Sequence, residues 1–70
     1  MNFDERLREF MERTVAYGYT DGAKELAATA RQAGLKNIAE LLSRYAAAVS
    51  VGDYKKAAEN FALMHVFISA

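Results

Sequence analysis

Apolar residues in the opening stretch recur at spacings of three and four. Phe3, Leu7, Phe10, Met11, Thr14 and Val15 share one side of a helical turn, while Glu5, Arg6, Glu9, Glu12 and Arg13 fill the outside. The pattern predicts an amphipathic helix. Asn2 is its natural N-cap and Glu5 stands at the capping-box distance. Asp4 and Glu5 place negative charge on the positive end of the helix dipole. Asp4 with Arg8 and Glu9 with Arg13 have ion-pair spacing, each worth only about 0.2–0.5 kcal/mol on a helix surface. Gly18 is the predicted stop, because the residue just past a helix commonly takes a left-handed conformation.

Tyr19-Thr20-Asp21-Gly22 reads as a turn, with Thr20 or Asp21 as the next N-cap. The second helix, over 21–33, carries Ala23, Leu26, Ala27, Ala30 and Ala33 on its inner face. Methyl groups bury little area, but they let a neighbouring helix come close, so this helix is expected to be the tightly packed one. Gly34 ends it, and Leu35 stands where a Schellman stop places an apolar residue. The third helix, over 36–51, has Asn37 and Glu40 at a second capping-box spacing. Its stripe is Ile38, Leu41, Leu42, Tyr45, Ala46 and Val49. Gly52 stops this helix and Asp53 caps a fourth, whose inward residues are expected to be Tyr54, Ala57, Ala58, Phe61, Met64 and Ile68. Helices joined by such short loops are antiparallel neighbours. The fold class is therefore all-α: four short helices as two antiparallel helical hairpins in a compact bundle, with a single domain over 1–70.

Overlaying the chain on itself at the ~34-residue tetratricopeptide period sets Leu7 on Leu41, Val15 on Val49, Gly18 on Gly52, Ala23 on Ala57 and Glu25 on Glu59. Gly52-Asp53-Tyr54-Lys55-Lys56-Ala57 followed by Phe61 resembles the turn and second helix of such a repeat. The first helix of the repeat departs from that pattern. Leu41, Arg44, Tyr45 and Ala48 occupy the positions of its Trp, Leu, Gly and Tyr, and Ser69 that of its closing Pro. What the resemblance implies is a pair of helical hairpins.

Size changes the picture next. A chain of 70 residues can bury only about 60% of its unfolded surface. Disulfides, metals or oligomerisation commonly support so small a core. Cys is absent and His65 is the one histidine, which leaves oligomerisation or a partner. Nine basic and nine acidic residues cancel, so no long-range field steers the chain to nucleic acid or an anionic membrane. The N-terminus lacks a signal-peptide pattern, and the uncharged run over 60–70 falls short of the ~20 residues that span a bilayer. The expectation is a soluble cytoplasmic protein with no membrane contact.

No catalytic, cofactor-binding or metal-ligating set is readable. Ser43, Ser50 and Ser69 lack a nucleophile context, and His65 has no second His, Cys or Glu at ligand spacing. The chain is expected not to be an enzyme. Ala30-Arg31-Gln32-Ala33-Gly34-Leu35 matches the turn of a DNA-reading helix-turn-helix, which would make Lys36, Asn37 and Arg44 base readers and Arg31 a phosphate contact. The helix after that turn is otherwise apolar or neutral with Glu40 inside it, so nucleic acid is not the expected partner and this stays the alternative.

The C-terminal stretch points elsewhere. Beyond Glu59 no charged residue follows, while Phe61, Leu63, Met64, His65, Val66, Phe67 and Ile68 crowd together, more apolar surface than one helix face can hide. Tyr17 and Tyr19 flank the first glycine turn, and tyrosine suits binding patches because it offers large area at low entropy cost. The expected interface is therefore Phe61, Leu63, Met64, His65, Val66, Phe67, Tyr17 and Tyr19. The expected function is protein–protein interaction, by a small stand-alone adaptor or a regulatory or inhibitory protein that binds a larger protein or itself, as a homodimer through the fourth helix.

Overall fold

In the computed structural model, which describes residues 2–18 and 22–69, four helices follow one another: α1 (Phe3–Tyr17), α2 (Ala23–Gln32), α3 (Lys36–Ser50) and α4 (Tyr54–Ser69). The local signals for their ends are largely realised. The Asn2 side chain accepts the Glu5 N–H at 2.9 Å, meeting one of the donors that a helix start leaves orphaned. Gly34 and Gly52 close α2 and α3 in the same way. The Leu35 N–H donates to Ala30 O and the Gly34 N–H to Arg31 O, while the Asp53 N–H donates to Ala48 O and the Gly52 N–H to Val49 O. These are two Schellman stops. Each needs a left-handed residue, and φ is +81° at Gly34 and +77° at Gly52. Asp53 then turns its carboxylate onto the Lys56 N–H at 3.1 Å, so one residue closes α3 and opens α4.

Three local expectations are corrected. Helix α2 begins at Ala23, with Gly22 as its N-cap at φ +106° and no side-chain cap; Thr20 and Asp21 lie outside the described residues. Asn37 does not cap α3, because the Schellman stop delivers the chain directly into a helix at Lys36, leaving Leu35 as N-cap and Asn37 inside the first turn. Neither the Asp4–Arg8 nor the Glu9–Arg13 pair closes. Among the described residues the ion pair formed within a helix is Glu40 with Arg44.

The core is one cluster. Leu7, Phe10 and Met11 come from α1, Ala23, Leu26, Ala27 and Ala30 from α2, Ile38, Ala39, Leu42, Tyr45 and Ala48 from α3, and Ala57 and Met64 from α4. Helix α3 is the centre: the closest backbone approaches join α2 to α3 and α3 to α4. The alanine face of α2 allows that approach, as expected of a helix whose contact side is methyl groups. Helix α1 touches α2 less extensively and packs instead through large side chains. The Phe10 ring stands edge-on to Tyr45 with centroids 5.7 Å apart, and Tyr45 in turn meets Phe61 at 6.1 Å. Two polar side chains in the core meet their needs within their own helices. Thr14 Oγ1 donates to Phe10 O at 3.0 Å and Asn60 Nδ2 to Lys56 O at 2.9 Å.

Four residues expected to face inward do not. Val15 and Tyr54 are 71% and 67% exposed, and Ala33 and Ala58 are exposed as well. Val15 lies at the end of its stripe nearest the gap between α1 and α4. Ala33 lies past the last turn of α2, where the chain is already leaving the helix. Tyr54 is the first residue of α4, while Ala58 lies past Phe61 on the exposed flank of α4 that also carries His65.

Candidate functional site

The inward positions of α4 are Ala57, Asn60, Phe61, Met64 and Ile68, a helical stripe. That register forces Leu63, Val66 and Phe67 outward, and they remain 52%, 67% and 42% exposed. Their spacing of three and four residues sets them side by side as one apolar ridge. Lys56 and Glu59 continue the same side toward the N-terminal end of the helix, so the ridge has a charged end and an apolar end.

Beside the ridge runs a seam. Helices α1 and α4 do not approach closely along their backbones, and two open grooves lie between them. One, of about 400 Å³, is lined by Met11, Val15, Ala16 and Ile68, with Arg8, Glu12 and His65 at its edges. The other, of about 340 Å³, gathers Phe3 and Leu7 from α1, Leu35 from the α2–α3 connection and Phe67 and Ile68 from α4, with Asp4 and Arg8 at the rim. Arg8 and Ile68 belong to both, so the grooves meet at that level. The His65 ring stands edge-on to Phe61 at 5.0 Å, which extends the aromatic row from the core to the mouth of the first groove.

The predicted interface residues therefore divide. Leu63, Val66 and Phe67 are accessible together, whereas His65 is exposed on the other flank of α4, across the inward stripe of Phe61, Met64 and Ile68. Met64 is fully enclosed, so it holds α4 onto α3 and is withdrawn as an anchor. Phe61 is half-buried and packs on the core cluster. Tyr17 is 80% exposed but sits at the far end of α1, beside a shallow hollow bordered by Glu9, Glu12, Arg13 and Ala16, apart from the ridge. Tyr19 lies outside the described residues. Two members were missed. Val15 reads from spacing as core, and Leu35 reads only as a helix stop, yet its side chain is part-exposed at a groove shared with Phe67.

The residues of the DNA-binding alternative lie on α2 and α3. The Arg31 guanidinium donates to Ser43 Oγ at 2.8 Å, Arg44 pairs with Glu40, and Lys36 and Asn37 are exposed on the first turn of α3. Among the described residues no three of His, Asp and Glu converge as a metal set, and no helix is long and apolar enough to cross a membrane. No family model, no curated protein and no solved structure matches this chain.

Proposed function

We propose that this chain is a protein-binding module, a small adaptor or regulatory protein that acts as a homodimer and occupies a site on a larger protein. The observation that carries the reading is the ridge of Leu63, Val66 and Phe67 beside the open α1–α4 seam. Burying an apolar side chain of this size is worth about 1.5–3 kcal/mol, and this fold leaves three of them on one helix face well exposed to water. Apolar anchors at such helical spacing are what a hydrophobic groove on a partner receives. Phe67 is the anchor expected to matter most, being aromatic and bordering both the ridge and a groove.

The test is capture of the cognate protein on the immobilised chain, comparing the native sequence with Phe67→Asp. Phe67 is 42% exposed and lines a groove with Leu7 and Leu35, so the substitution should keep the chain helical, with a lowered unfolding midpoint from the contacts it gives up, while abolishing capture. Undiminished capture would sink the reading.

A further inference from the structure

We draw no further inference here: the strongest candidate, the apolar groove where Phe3 and Leu7 of α1, Leu35 of the α2–α3 connection and Phe67 of α4 meet, is an unpartnered face, and nothing in the structure shows what covers it.

Discussion

The buried face of α2 is built of Ala23, Leu26, Ala27 and Ala30, whereas α1 reaches the same core with Leu7, Phe10 and Met11. The first set draws two backbones together; the second holds a backbone away. Small contact residues leave no room at the edges of an interface, so the α2–α3 boundary is closed, with the Arg31–Ser43 hydrogen bond lying across it. Large contact residues prop α1 up at a distance that α4 does not fill, and the grooves at Arg8 and Ile68 are the remainder. Two helices covering one core can thus differ in whether they leave surface for another molecule, and side-chain size at the contact decides which.

Substitutions can break this contrast. The largest effect is expected for Phe10→Ala, which removes the ring that joins α1 to Tyr45 and should cost about 3–5 kcal/mol. In a domain whose whole stability is ~5–15 kcal/mol that leaves a large unfolded fraction, visible as a collapsed urea midpoint by circular dichroism. Ala30→Leu attacks the other boundary. Ala30 is fully buried, and forcing extra methylenes between α2 and α3 should cost about 1–3 kcal/mol, read from the same transition. At the seam the expectation reverses: Val15→Lys, at a position 71% exposed, should shift unfolding by no more than ~0.5 kcal/mol. A larger loss there would mean that the seam is closed in solution and that the contrast with α2 is false.

Much of this arrangement is readable before any coordinates. Asn2, Gly34, Gly52 and Asp53 announce the helix ends because capping chemistry is local and depends on a few neighbouring residues. Three-and-four spacing likewise finds Leu7, Phe10, Ile38, Leu42 and Met64. What spacing does not carry is the distance and angle at which a helix lies on its neighbours. Val15 continues the α1 stripe faithfully and is nonetheless exposed, since no helix covers that end of the stripe. Asn60 shows the converse, a polar residue buried in α4 because its amide is already occupied by the Lys56 carbonyl one turn back. The ridge at Leu63, Val66 and Phe67 is foreseeable, as the final turns hold more apolar residues than one face can bury. The groove beside it is not, because it is made by three elements whose meeting at Leu35, Leu7 and Phe67 is a tertiary fact.

The close packing of α2 on α3 and of α3 on α4 joins only helices that follow one another along the chain. Bringing them together closes short loops, and chains dominated by such local contacts cross their folding barrier in microseconds to milliseconds. The sequence contains no proline and no cysteine, so neither prolyl isomerisation nor disulfide exchange slows that search. Newly made chain would spend little time with its apolar C-terminal turns unprotected, which matters for a molecule that keeps part of them exposed even when folded.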